Sequence, residues 1–314
     1  MKTFIRYLTL KGFAESTILQ HERNIGLYFN WIKNNSIDIN RCGYSEIIRF
    51  IDHSFNYLNI KPQVRNRMNR VLTSITYYYD YLSENRSSII NPAKNIRIKN
   101  NHVRFKERPI EYDDLLKLYH QLKTTSPRDI RNKVILGFFI FQGITVRELN
   151  SLTIDNLRLR EGMVLLKEEA SYNLKKGTTT RILPLDAVQV IDILEYINII
   201  RPKILSGKYL GTSGRKPGKG KRLRKTNRMI MSLNGSPFIK NTLHHLFIDI
   251  RKMYPMITSA KKIRQSIITH WLTLFDIRKV QYMAGHRFVS STEWYKPSNL
   301  EELKKEINTF HPLK

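Results

Sequence analysis

The stretch Lys261–Tyr295, KKIRQSIITHWLTLFDIRKVQYMAGHRFVSSTEWY, decides how the chain is read. Lys261 and Arg264 stand three apart at the head of an apolar helical pattern, so both fall on one helix face. A Gly285-His286 pair follows, and Tyr295 comes nine residues past the histidine. These side chains can hold a phosphate, move a proton and supply a hydroxyl nucleophile. Singly they say little: two basic residues on one helix are usually a solvated face, and Tyr295 is one of sixteen tyrosines. Order and spacing together carry the reading.

Composition narrows the partner. The 314 residues carry a net charge of +28, with a pI near 10.1. A surface that basic repels itself and calls for a polyanion. The excess is spread along the chain: residues 1–104 hold 16 Lys/Arg against 7 Asp/Glu, and the remainder 38 against 19. Both parts are therefore expected to face nucleic acid. Cys42 is the one cysteine, which rules out an internal disulfide and any multi-cysteine zinc site. The nine histidines show no metal spacing, and the carboxylate pairs Asp113-Asp114 and Glu168-Glu169 read as a helix cap and strand-edge charges. No metal or cofactor is expected. Neither a signal peptide nor a membrane-spanning run is seen, so the expectation is a cytoplasmic protein, nucleoid-associated through DNA, with no membrane partner.

Residues 1–85 read as four helices forming a small DNA-binding domain. Ser45 is the expected cap of the third, and the last runs from about Val64 to Leu82. Its basic face (Arg65, Arg67, Arg70) is expected along a phosphate backbone, with Leu72, Ile75 and Tyr79 packed inward. The cluster Tyr77–Tyr81 reads as core rather than as a stacking platform. Residues 86–109, Asn-rich and basic with Lys94 and Arg97, read as a linker that follows nucleic acid between domains. The second domain, 110–314, opens with Tyr112-Asp113-Asp114 capping a helix, then Ser126-Pro127 before a largely apolar one. Thr145-Val146-Arg147-Glu148 is a capping box. MVLLKEE and TTRILPL read as strands joined at a turn through Lys175-Lys176-Gly177, and MIMSLNGSPF as a short strand and turn. Residues 207–228 form a basic insert loop with Arg215, Lys216, Lys219, Lys221, Arg222, Arg224 and Lys225. It imitates a phosphate loop but has Ser213 and Gly220 where that motif needs glycine and a hydroxyl residue. A terminal helix with Leu300, Leu303 and Ile307 on one side is expected within 298–314.

The ordered set resembles the tyrosine recombinase family, the phage integrases and Xer-type recombinases. The family's β-turn lysine pattern "GKG-x-K-x-R-x-x-PL" is met by Lys176-Gly177, Arg181 and Pro184-Leu185. Its box "H-x-L-R-H-T-F-A-T-H-L" aligns with Lys261 to Ser266 and on to Thr269-His270, and "LGH…TT-x-x-Y" with Gly285-His286, Thr292 and Tyr295. NPAKNIRI also looks like the family's linker. Two departures stand out. Against "TGLR-x-x-E-L", Gly143 and Glu148-Leu149 anchor a pattern that puts Thr145 where the arginine belongs, with Arg147 the nearest substitute; and Lys261 replaces the histidine of the H-x-x-R box.

The resemblance implies an all-α, SAM-like core-binding four-helix domain. It pairs this with a mostly α-helical α+β catalytic domain holding a small antiparallel sheet. It further implies strand cleavage and rejoining through a 3′-phosphotyrosyl intermediate on two double-stranded recombination sites. The protein is then a monomer free in solution and a homotetramer on DNA, the terminal helix being exchanged between protomers. Tyr295 is the nucleophile, Arg264 and Arg147 the phosphate clamp, Lys176 on the β-turn the general acid, and His286 a donor to phosphate. Lys261 either donates to phosphate or lowers the Tyr295 hydroxyl pKa, and His270 is a helix-packing residue. The chemistry agrees: a protein nucleophile conserves the phosphodiester energy, and a planar guanidinium binds phosphate bidentately. Two other readings remain open, a catalytically silent DNA-binding accessory protein and a telomere-resolvase or type IB topoisomerase-like transesterase. No directionality partner is named by the residues.

Overall fold

A computed structural model describes residues 2–57, 62–85, 90–98, 108–168, 178–209 and 226–296. The chain divides into two compact units, one holding the described residues up to 98 and the other those from 108 onward.

The first unit is built from α1 (Lys2–Leu10), α2 (Glu15–Asn34), α3 (Tyr44–Tyr57) and α4 (Pro62–Asn85). Apolar residues at helical spacing close one core: Phe4 and Leu8, Ile25 and Tyr28, Ile47 and Phe50, Leu72, Ile75 and Tyr79 are all buried. Tyr77, Tyr78 and Tyr81 pack against that core, Tyr78 edge-on to Phe4 at 5.3 Å and to Phe29 at 5.0 Å. The third helix starts at Tyr44, one residue before the expected cap. Its N-terminus is held instead by Glu46, whose carboxylate accepts from the Gly43 N–H at 2.8 Å.

Residues 90–98, expected as linker, fold onto α4. Asn91 donates to the Thr76 carbonyl and to Asp80, Ala93 is buried, and Ile98 exchanges two hydrogen bonds with the Asn69 side chain. Asn95 takes the left-handed conformation (φ 68°) that turns the chain back.

The second unit centres on α6 (Pro127–Phe141), buried nearly all round and opened by a Ser126–Asp129 capping box. Against it pack α5 (Tyr112–Gln121), α8 (Ala187–Glu195) and α11 (Ala260–Leu274). A π-turn over Tyr196–Ile200 carries α8 into α9 (Arg201–Leu205). The short α7 (Val146–Ser151) precedes a three-stranded antiparallel sheet, β1 (Leu157–Arg158), β2 (Met163–Leu166) and β3 (Arg181–Pro184), in the order β1-β2-β3. α10 (Lys240–Met253), α12 (Ile277–Ala284) and α13 (Ser290–Glu293) complete it.

Two expectations change here. α5 is preceded by Glu111, which makes no side-chain cap. MIMSLNGSPF makes no strand: Met229, Ile230 and Met231 are all buried, with the Met229 N–H donating to the Leu152 carbonyl at 2.8 Å and the Met231 N–H to the Tyr196 hydroxyl. Their backbone N–H groups find a carbonyl and a hydroxyl outside the sheet, so no ladder forms. Among the described residues no helix is long and apolar enough to cross a membrane.

Candidate active site

Arg264 lies one turn into α11, where the helix turns its apolar face to the core, and it is 8% exposed. A buried guanidinium needs acceptors, and it has them. It donates to the Gly143 carbonyl, to the Ala284 carbonyl at 2.6 Å and to His286 Nε2 at 3.2 Å. Both carbonyls end a helix or begin a turn, where backbone oxygens lack an intrahelical partner. Burial lowers the arginine's pKa, with the Glu148 charge acting the other way.

His286 follows Gly285, which ends α12 in the left-handed conformation (φ 68°). An arginine N–H can only donate, so Nε2 is the acceptor and the ring proton sits on Nδ1. That proton is donated to Thr292 Oγ1 at 2.9 Å. The ring is therefore neutral, consistent with burial and the Arg264 and Arg181 charges pushing its pKa down to about 4. Gln281 clamps the turn from outside by donating to the His286 and Arg287 carbonyls.

Tyr295 lies just past α13, its N–H bonded to the Thr292 carbonyl at 2.9 Å. Its ring stacks on His286, centroids 5.7 Å apart and planes 14° off parallel. The residues read from sequence spacing thus meet as an arginine–histidine–tyrosine cluster.

Lys261 is exposed at the start of α11, while its neighbour Lys262 is buried and donates to the Arg108 carbonyl at 2.6 Å. Arg147 is exposed on α7. Thr145 caps that helix, its hydroxyl and N–H both donating to Glu148. His270 stacks on Tyr112 at 4.3 Å, away from the cluster's hydrogen bonds. Lys176 lies outside the described residues. Arg67, Arg70, Lys94 and Arg97 are exposed on the first unit. The side chain of Arg65 and all of Arg215, Lys216, Lys219, Lys221, Arg222, Arg224 and Lys225 lie outside the described residues, as does the terminal helix expected after residue 298.

A second set of residues joins the cluster without having been singled out for it. Glu148, 3% exposed, accepts from Arg181 Nη1 at 2.5 Å and from Thr178 Oγ1 at 2.7 Å. Burial alone would raise its carboxyl, but Arg181 and these hydrogen bonds hold it down at about 2. Arg181 also donates from Nε to the Met283 carbonyl at 2.8 Å. Thr178 bridges to His286, and the Thr179 N–H donates to the Gly285 carbonyl at 3.0 Å. In advance, Glu148 stood out at the third position of a capping box, a place that also suits a purely local role, and Arg181 as part of the β-turn lysine pattern.

Two expected results follow from this geometry. A Cβ at position 285 would lie 2.8 Å from Arg181 Cζ and would sit on a left-handed backbone. Gly285→Ala should therefore destabilise the fold by about 2–4 kcal/mol, measured by urea denaturation. An undiminished midpoint would show that the Arg181 contact yields freely. The pH dependence has a defined sign. The His286 pKa is about 4 when folded, below the ordinary value of 6.5, so the unfolded chain binds the proton first. Stability from this residue is complete above pH 6.5 and is lost as the pH falls toward 4. Glu148 adds a further loss between its ordinary 4.5 and about 2. His286→Gln should flatten the upper of these two stretches in denaturation midpoints taken across pH, and an unchanged slope would exclude His286 as its source.

A model of the phage integrase family matches residues 108–302, and the chain belongs to that family. Members of this class, the tyrosine recombinases, cut and rejoin DNA strands. Tyrosine recombinase XerD of Chlorobaculum tepidum is 24% identical over 324 residues, covering 99% of this chain and 96% of its own. XerD of Vibrio cholerae is 23% identical over 312 residues, with 96% and 92% covered. Among solved structures, XerH bound to a palindromic difH substrate superposes with a TM-score of 0.67 at 14% identity, over 93% of this chain and 79% of that one. The Tn1549 transposon integrase in complex with circular intermediate DNA gives 0.62 at 14% identity, over 98% of both. These two likenesses show a shared fold, mostly helical with one small antiparallel sheet.

Proposed function

We propose that this chain is a site-specific DNA recombinase that cleaves one strand at a time through Tyr295. The carrying observation is the Tyr295 ring lying on His286, which is itself bonded to Arg264. In the proposed step the Tyr295 oxygen bonds to the scissile phosphorus and the DNA 5′-oxygen leaves with a proton, the phenol giving up its own. The product is a 3′-phosphotyrosyl bond. Attack by a 5′-hydroxyl on that bond reverses the step and joins the strands, with no metal or cofactor.

Arg264 clamps the non-bridging oxygens, where charge builds up in the transition state. His286 now uses Nε2 to accept from Arg264. To donate to phosphate it must gain a proton, and an adjacent phosphate anion favours the charged ring. Lys176 is the proposed general acid. Its support is the family's β-turn pattern, which Lys176-Gly177, Arg181 and Pro184-Leu185 meet.

The first unit is proposed as the core-binding DNA-binding domain, with Arg65, Arg67, Arg70, Lys94 and Arg97 on phosphates. The basic segment 207–228 is proposed as a further backbone-binding arm. Two recombination sites held by a homotetramer, with the C-terminal segment exchanged between protomers, complete the reading, in the cytoplasm where the DNA is.

The test is a suicide substrate from which the cleaved strand diffuses away. Wild type should accumulate a covalent adduct whose peptide map places the DNA on Tyr295. An adduct on another tyrosine would reassign the nucleophile, and intact DNA binding without any adduct would favour a silent accessory protein. Lys261→Ala and Arg147→Ala should each slow cleavage more than they weaken binding, because a single phosphate contact among many adds little affinity. Unchanged single-turnover cleavage would remove that residue from the site.

A further inference from the structure

The proposed phosphate site contains a buried carboxylate. Glu148 lies in the hydrogen-bonded cluster with Thr178 and the Gly285–His286 turn, and its pKa near 2 keeps it ionised. A bare anion there would oppose an incoming phosphodiester, and would oppose the more highly charged transition state further. Something must cancel it.

Thr145 does not, being neutral, although it occupies the position that an arginine takes in the resembling family. Arg147 is exposed. The cation against Glu148 is Arg181, a fully buried side chain at the start of β3. The same guanidinium ties three parts of the unit. Nη1 holds Glu148, Nε holds the Met283 carbonyl just ahead of Gly285-His286, and the plane packs against Gly285, where only a glycine leaves room. Its remaining nitrogen, Nη2, is buried and has no hydrogen-bond partner among the described residues. A lone packing arginine would not need a glycine partner and a buried carboxylate together.

We propose that Arg181 is a positioning residue of the cleavage reaction: it cancels the Glu148 charge and seats the Gly285–His286 turn, so that a scissile phosphate can enter beside Arg264. In this chain position 145 gives Glu148 two hydrogen bonds and no charge. This rests on the recombinase reading given above.

The experiment compares single-turnover adduct formation on two suicide DNAs, one with an ordinary scissile phosphate and one with a neutral methylphosphonate in its place. Arg181→Met should lose about 100-fold on the phosphate, the loss expected when one preorganised charge is removed. On the methylphosphonate, where no anion meets the uncancelled carboxylate, the loss should be under about tenfold by the same reasoning. The double variant Arg181→Met/Glu148→Gln removes both buried charges, so it is expected to fold even if the single variant does not. Its ratio of phosphate to methylphosphonate rates should return toward wild type. Equal losses on both DNAs for Arg181→Met, or a double variant whose ratio stays depressed, would overturn the proposal by leaving Arg181 a purely structural role. Wild type failing to form an adduct on either DNA would instead sink the recombinase reading itself.

Discussion

Tyr295→Phe is expected to bring covalent protein–DNA complex on a suicide substrate down to background while DNA binding stays within about twofold of wild type, since backbone phosphate contacts supply most of the affinity. The change removes one oxygen and keeps the ring. Stacking on His286 and packing against the core therefore survive, and so does the backbone bond to Thr292. The thermal midpoint should move little for the same reason. A hydroxyl nucleophile has no partial substitute: a phenyl ring cannot form the phosphodiester bond, so the loss is of the whole reaction rather than of a fraction. Residual adduct above background would mean that another residue attacks. A large fall in DNA binding would mean that the hydroxyl serves recognition instead.

Arg264→Ala should lower cleavage by about 10²–10³-fold, the range for deleting one preorganised donor at a developing charge. Unlike the tyrosine change, this one should also destabilise the fold, by about 2–4 kcal/mol. The Gly143 and Ala284 carbonyls both lose their donor, in a place where the guanidinium is buried. Arg264→Lys separates the two effects. It keeps the charge, but an ammonium on a single stem cannot span Gly143, Ala284 and His286 with a planar fork. It should recover part of the stability and little of the cleavage. Single-turnover rates beside urea denaturation check both. Full cleavage by the lysine variant would show that charge, not the guanidinium geometry, is what the site uses.

Much of this site was legible before any fold was known. Lys261-x-x-Arg264, Gly285-His286 and Tyr295 are local spacings on consecutive elements, and local spacing survives folding. The capping box at Thr145–Glu148 was readable for the same reason. The partnership of Glu148 with Arg181 was not: the two are 33 residues apart, and each has an adequate local explanation. The folding of residues 90–98 onto α4 was missed because Asn-rich composition describes linkers and Asn side-chain caps alike. MIMSLNGSPF was read as strand from its apolar run, yet its backbone finds partners outside any sheet. Lys261 and Arg264 show the limit of helical periodicity most directly. They share a helix face by spacing, but one is exposed and the other 8% exposed, because the face wraps from solvent into the core within a single turn.

The amino-acid sequence by itself pointed to a polyanionic partner, through its charge, and gave the helical character of both parts, through periodicity. It also brought Arg264, His286 and Tyr295 forward as candidate site residues, through spacing along one stretch of chain. Tertiary structure alone decided which charges cancel: that Glu148 faces Arg181, that Gly285 must be glycine to let that guanidinium in, and that His286 is neutral with its proton on Nδ1. The reason is physical. Spacing specifies what neighbours along a helix or turn can share, whereas burial and ionisation depend on which distant segments exclude water from the same place.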